Sequence, residues 1–294
     1  MSAVVDVDMQ SARPAPAPRA RRRMRPGSPF AYLLAVIVLG ITIVPLLFVV
    51  VGGFRTSAQI NTDPAGLPSP WVLGNYVNVV TSPVFWGDLR NSAVIAVIAT
   101  VLAVALGSMA AFALSRYVFR FREGFYTLFT IGLLFPISVA SLPLYLLLKD
   151  IGLLGNPLGV AIPEAAFSLP VTVVILRPFM GAIPDEIEDA AVLDGATKLG
   201  FFWRVLLPLS RPALATVAVL AFVTSWNQYL LPLLVFDDPA QFTLPLGVAA
   251  FQSQYSQDTA KVLAFTALSM VPALGFFLVA ERRIVGGLTG AVKG

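Results

Sequence analysis

The sequence predicts an all-α integral membrane protein that crosses the bilayer six times. Three observations carry this. Charged residues make up 12% of the chain and hydrophobic residues 57%, whereas soluble domains carry roughly 25% charged residues. Apolar runs of about 20 residues recur, the length a helix needs to cross the hydrocarbon core. Lys and Arg gather on alternate connections between those runs, as in a multi-pass protein.

Residues 1–29 are Pro-rich and basic, with Arg13, Arg19, Arg21, Arg22, Arg23 and Arg25. This composition predicts a disordered tail. The run Phe30–Val51 exceeds the roughly 7–15 residues of a signal-peptide core, and no clear cleavage site follows, so it reads as an uncleaved first span. The outer loop completes a first segment, residues 30–87. Its stretch Asp63–Trp71 is rich in turn residues, and Gly52-Gly53 marks a helix end. Trp71, Tyr76 and Trp86 suit the membrane interface. The remaining spans are Asn91–Leu114, Phe125–Leu148, Leu158–Met180, Leu209–Phe236 and Val262–Val279. Pro170 and Pro232 predict kinks in the fourth and fifth. Gly107-Ser108, Ala110-Ala111 and Gly275 are small-residue faces on which helices can approach closely. No internal repeat is evident.

With the N-terminus inside, sixteen of the twenty Lys and Arg fall on or beside cytoplasmic segments. Only Arg55, Arg90, Lys149 and Lys261 lie outside. The positive-inside rule therefore predicts both termini in the cytoplasm, and with them the loop Asp185–Leu207. The net charge of +4 reports this topology and is no sign of nucleic-acid binding. No outer segment is large enough to form a ligand-binding domain.

The chain has no Cys and no His. That excludes disulfides and thiolate chemistry, and removes the usual general base and the commonest metal ligand. No catalytic residue and no metal site is expected. The spans read as nearly free of ionisable groups, which proton-coupled carriers usually need. Energy is then expected to enter from another protein. The chain has no GxxxxGK[ST] loop of its own to bind ATP.

The most polar segment of the second half is Asp185-Glu186-Ile187-Glu188-Asp189-Ala190-Ala191-Val192-Leu193-Asp194-Gly195-Ala196. Asp185 is placed to cap a helix and Glu188 to return the bond. Gly195 is placed to end it. Thr197–Leu207 follows as a second amphipathic piece. A solvated loop with some helical turn is one reading. A short helix that docks into another protein is the other. The pattern Asp189-Ala190-Ala191-x-x-Asp194-Gly195-Ala196, with Phe202, Leu207-Pro208-Leu209 and Pro212, resembles the EAA loop of ABC importer membrane subunits. There the loop is the coupling helix, seated in a cleft on the cytoplasmic ATPase. The resemblance assigns ATPase coupling to Glu188, Asp189, Ala190, Ala191, Asp194, Gly195 and Ala196. The family's usual Glu at the first position is Asp189 here, which keeps the charge on a shorter arm.

The richest polar cluster inside a span is Thr224-Ser225-Trp226-Asn227-Gln228-Tyr229. Asn227 and Gln228 offer donors and acceptors, and Trp226 and Tyr229 offer apolar faces, the mix that sugars need. The same groups could instead be glue between helices. Adjacent residues point about 100° apart, so Asn227 and Gln228 cannot both line one narrow path equally. Ser138, Ser141, Tyr145 and Thr172 are lesser candidates. At the end of the chain, the glycines of residues 284–294 argue against a long helix. The ending, with Gly287, Leu288, Thr289, Lys293 and Gly294, is similar to the GLT…GAVKG tail of carbohydrate importer permeases. That likeness implies a contact between these residues and the ATPase.

Together these stretches resemble the MalG-like permeases of carbohydrate ABC importers, inner-membrane components of binding-protein-dependent transport systems. The resemblance implies a type I ABC importer fold, with a transmembrane domain over residues 88–283 in a bacterial plasma membrane. It also implies a second, different permease, two copies of an ABC ATPase that use ATP and Mg, and an extracytoplasmic sugar-binding protein. The chain itself would hold no cofactor and bind no nucleic acid. Two alternatives stand beside it. One is a permease of the same superfamily for glycerol phosphate, peptide or amino acid. The other is a carrier or channel that needs no ATPase.

Overall fold

The computed structural model describes residues 29–254 and 258–291. Among them there is no strand. The basic tail expected over residues 1–29 lies almost wholly outside the described residues. The chain divides into two units, residues 1–45 and 46–294. α1, Pro29–Gly52, is apolar all round and begins in the first. Such a helix suits lipid.

In the second unit, α2 (Ser57–Thr62) and α3 (Gly74–Val80) frame the turn-rich segment. Buried Arg55 holds it together by donating to the carbonyls of Gln59, Asp63 and Pro64. Next come α4 (Pro83–Arg116), α5 (Arg122–Gly132), α6 (Ile137–Asp150) and α7 (Pro157–Gly181). α8 (Asp185–Leu193) and α9 (Lys198–Phe201) form the acidic loop. A π-helical turn, Phe202–Leu206, runs into α10 (Leu207–Leu209). α11 (Arg211–Trp226), α12 (Leu230–Val235), a 3-10 turn at Pro239–Gln241, α13 (Leu244–Gln254) and α14 (Thr259–Ala291) complete the order.

Among the described residues four helices are long and apolar enough to cross a membrane, and the number reaches six when each of two bent pairs counts as one span. Two spans differ from expectation. The third is broken, with α5 and α6 bent by 100°. Pro136 has no N–H, and its ring clashes with the carbonyl four residues back. That residue is Gly132, where α5 stops. The fifth span does not run to Phe236, because α11 ends at Trp226. Pro232 acts the same way on Gln228, so the expected kink is a full break one turn before the proline. α7, by contrast, continues through Pro163, Pro170 and Pro178.

The core lies where α4, α7 and α11 meet. Ala96, Ala99, Ala103, Gly107 and Ala111 are buried at helical spacing on α4. On α7, Ala161, Ala165, Ser168, Thr172, Leu176 and Met180 form the matching stripe. Small residues let the axes approach closely, which is what drives association where the hydrophobic effect is absent. Gly107 shows how closely: a Cβ there would sit 2.3 Å from Thr172 Cγ2. Thr172 is thereby a packing residue, with its hydroxyl donating to Ser168 O at 2.8 Å. Gly275 does not behave this way, since nothing lies within 4 Å of a Cβ built on it. The tail also departs from expectation. α14 continues to Ala291 through Gly286, Gly287 and Gly290. Extending a helix already formed adds one hydrogen bond per residue, which offsets the roughly 1 kcal/mol that each Gly gives up to Ala.

Candidate functional site: an exposed acidic helix on an arginine anchor

α8 forms because Asp185, Glu186 and Glu188 lie in its first turn, where the helix dipole favours acid. It ends in a Schellman motif. Gly195 N donates to Val192 O at 2.9 Å and Ala196 N to Ala191 O at 2.9 Å. Gly195 takes φ +82°, the left-handed conformation that glycine tolerates best. Thr197 then caps α9 by accepting from Gly200 N at 3.1 Å.

The expected capping box is absent. Pro184 is the N-cap residue and makes no side-chain cap bond. Asp185 instead accepts from Arg116 Nη1 at 2.6 Å. Arg116 closes α4 and its side chain is only 2% exposed. Its Nη2 donates to Met180 O at 2.9 Å, in the last turn of α7, and to Ile183 O at 2.6 Å, in the connection to α8. Glu188 Oε2 lies 3.9 Å from the same guanidinium. Arg116 thus ties together the last turn of α4, the last turn of α7 and the first turn of α8. Arg177 reinforces the junction by donating from Nε to Leu114 O at 3.2 Å. Tyr117 sits beneath the loop, with Lys198 Nζ 4.7 Å from its ring centre. Burial, and then the nearby Glu188 charge, push its phenol above the ordinary range.

No residue of α8 is buried. Leu193 is 88% exposed, and Ile187, Val192, Leu199 and Trp203 are also open. Asp189, Ala190, Asp194 and Gly195 are exposed with them, while Glu188, Ala191 and Ala196 are half-buried. Phe201, Phe202 and Leu206 turn the other way and are buried against Phe112, Leu176 and Met180. One side of the loop is therefore cemented into the bundle. The other presents acidic and apolar groups together.

The second candidate cluster separates into two pairs. Trp226 and Asn227 line a cavity of ≈ 340 Å³ with Leu244, Val248, Thr266 and Ser269. Trp226 stacks on Phe222, at 5.6 Å between ring centres. Gln228 and Tyr229 do not line it. Gln228 Oε1 accepts from the backbone N–H groups of Tyr229 and Leu230, both at 3.2 Å, and so closes the break after α11. Asn227 and Gln228 both lie beyond the end of α11 at Trp226, so the break in the helix, and not a helical step, separates them. Ser141 donates to Ser138 O at 2.8 Å, within α6. Of the tail candidates, Gly287, Leu288 and Thr289 lie on the α14 backbone, and Lys293 and Gly294 lie outside the described residues.

Sequence reasoning missed Arg116 and Glu164. Arg116 counted only as a topological charge, although a lone Arg that ends a span can also turn inward to the carbonyls of a neighbouring helix. Glu164 stands in the fourth span and is 5% exposed. The expectation that the spans lack buried ionisable groups is therefore wrong. One argument against a carrier without an ATPase falls with it.

The family of binding-protein-dependent transport system inner membrane components matches residues 103–282. The diacetylchitobiose uptake system permease protein NgcG of Streptomyces coelicolor is 35% identical over 251 residues, which is 85% of this chain and 83% of that one. The trehalose transport system permease protein SugB of Mycobacterium tuberculosis is 35% identical over 268 residues, 89% of this chain and 96% of that one. The arabinooligosaccharides transport system permease protein AraQ of Halalkalibacterium halodurans is 34% identical over 259 residues, 86% and 92% of the two chains. Among solved structures, a chain of a bacterial ABC transporter involved in the import of alginate superposes with a TM-score of 0.71. It is 23% identical and covers 86% of this chain and 96% of its own, so the two share the ABC importer permease fold. The match over most of the membrane domain, on a helical fold with four to six candidate spans, places the chain in the cell membrane as a member of the family of binding-protein-dependent transport system inner membrane components.

Proposed function

We propose that the chain is the permease subunit of an ATP-driven sugar importer, with a di- or oligosaccharide as substrate, and that α8 is its coupling helix. One observation carries the assignment of α8: it is held rigidly at its base by Arg116 yet left uncovered over its whole outer side. An isolated helix of nine residues is not stable in water. Keeping one in place with Ile187, Val192 and Leu193 open suits a surface that another protein covers. The relatives named for diacetylchitobiose, arabinooligosaccharides and trehalose support the sugar class.

The complex would contain a second permease, two ABC ATPase subunits and an extracytoplasmic sugar-binding protein, with ATP and Mg held by the ATPase pair. This subunit would have no ATPase site. Both termini and α8 would face the cytoplasm. As the ATPase pair closes, α8 is carried with it, and Arg116 passes the displacement to α4 and α7 together. The cavity at Trp226 and Asn227 would open alternately to the two sides. Such a cycle needs the ATPase pair to prefer one state, because a ligand that binds both states equally shifts nothing.

The test is purification with the partners, reconstitution in vesicles, and uptake of each of the three sugars with the binding protein present. The expected result is uptake that requires both ATP and the binding protein. Asn227→Ala should raise the KM about five- to tenfold, the effect of losing one hydrogen bond to the sugar. Uptake that persists without ATP would overturn the importer reading. A wild-type KM for both Asn227→Ala and Trp226→Ala would remove the sugar from this cavity.

A further inference from the structure

Glu164 stands eight residues into α7, surrounded by a packing stripe of alanines. Ala103, Ala165 and Ala221 are buried together at the meeting of α4, α7 and α11. The Ser225 hydroxyl donates to Glu164 Oε2, across from α11 to α7. The Glu164 carbonyl accepts from Ser168 Oγ at 2.8 Å. Oε1 is buried and has no hydrogen-bond partner among the described residues.

A carboxyl group at this depth is costly, and more so with one oxygen unsatisfied. Packing alone does not call for it, because the surrounding alanines already bring the three helices together. What the carboxyl adds is direction. Ser225 is in the last turn of α11, next to Trp226 and two residues before Asn227. The helix ends one residue later, at Trp226, where the side-chain amide of Asn227 donates back to Val223 O at 2.8 Å beside the backbone N–H of the same residue. Gln228 caps the following segment rather than α11 itself. Among the described residues the clasp from Glu164 to Ser225 is the side-chain hydrogen bond that ties this last turn to a neighbouring span.

We propose that Glu164 is a positioning residue for the translocation path: through Ser225 it fixes the final turn of α11 against α7, and so sets the direction in which Trp226 and Asn227 face the cavity. The functional meaning of this placement rests on the reading of that cavity as the sugar path. The placement itself is tested without any sugar.

The chain contains no cysteine, so a single introduced thiol reports on one position. In the assembled complex in vesicles, Asn227→Cys is labelled with a small thiosulfonate cation, and the rate is followed alone and with Glu164→Ala, Ser225→Ala or Glu164→Gln. Loss of the clasp should change the labelling rate about fivefold, the population shift one hydrogen bond can produce. Glu164→Ala and Ser225→Ala should act alike, and their combination should add nothing further. Glu164→Gln keeps an acceptor for Ser225 and should restore the parent rate. A control thiol at exposed Trp71→Cys should be unaffected in every background. If Glu164→Ala prevents assembly, Ser225→Ala still decides, since it removes only a hydroxyl. An unchanged rate with Ser225→Ala would overturn the proposal. So would a change with Glu164→Gln as large as with Glu164→Ala. A shifted rate combined with a wild-type KM for both Asn227→Ala and Trp226→Ala would leave Glu164 as the residue that positions this turn and remove the sugar from the cavity.

Discussion

Arg116→Ala is expected to leave an assembled complex that hydrolyses ATP but takes up sugar at least tenfold more slowly. The magnitudes show which bonds matter. The pair with Asp185 is weak, because the Asp185 side chain is 90% exposed and pairs screened by water are worth roughly 0–1 kcal/mol. The bonds from the buried guanidinium to Met180 O and Ile183 O are stronger, roughly 1.5–3 kcal/mol each. Losing them unties the start of α8 from α4 and leaves the end of α7 held to α4 by packing and by Arg177, so displacement of α8 reaches the two spans less faithfully. Asp185→Asn should therefore reduce uptake only mildly. Arg116→Lys should fall between, because a lysine reaches one carbonyl but cannot present a planar fork to several acceptors. The measurement is sugar transported per ATP hydrolysed in vesicles. An unchanged ratio for Arg116→Ala would show that α8 passes its motion through some other contact.

Gly195→Pro is expected to abolish uptake, whereas Gly195→Ala should reduce it only a few-fold. Nothing lies within 4 Å of a Cβ at this position, so within this chain the loss comes from the backbone. Alanine at a left-handed φ costs about 1–2 kcal/mol. Proline cannot reach φ +82° and also removes the N–H that bonds Val192 O. The chain after α8 would then leave in another direction and take Thr197 and α9 with it. Gly195→Asn, which tolerates the left-handed region, should stay close to the parent. Insertion and expression should be normal throughout, since the position is exposed. Should alanine prove as damaging as proline, Gly195 would be in tight contact with the ATPase. That result would place the interface on the glycine itself, and the turn would no longer be its reason.

The kind of fold was legible in the sequence because lipid imposes it. A chain with so few charges has to satisfy its backbone within helices, and runs of about 20 apolar residues fix their number. The end of α8 was legible too, since a left-handed turn selects glycine locally. The cluster Trp226–Asn227 was found because polar residues in an apolar run stand out in one dimension.

What required the tertiary structure was every choice that depends on a neighbour. Asp185 could cap its own helix or pair with Arg116, and the approach of α4 to within 2.6 Å decided for the pair. The sequence placed Asn227 and Gln228 side by side, but only the break after α11 sends one into the cavity and the other to the backbone. The two broken spans lay between these cases. Pro136 and Pro232 were visible, as was Pro170, but α7 continues where the others stop. A proline removes one hydrogen bond in each, and whether the helix survives depends on the packing around it. Pro170 is half-buried, with its ring against Gly132, and α7 carries buried residues along its length. α5 has no buried residue to hold it straight. Local chemistry names the positions where a chain can turn, and the contacts made by its neighbours determine where it does.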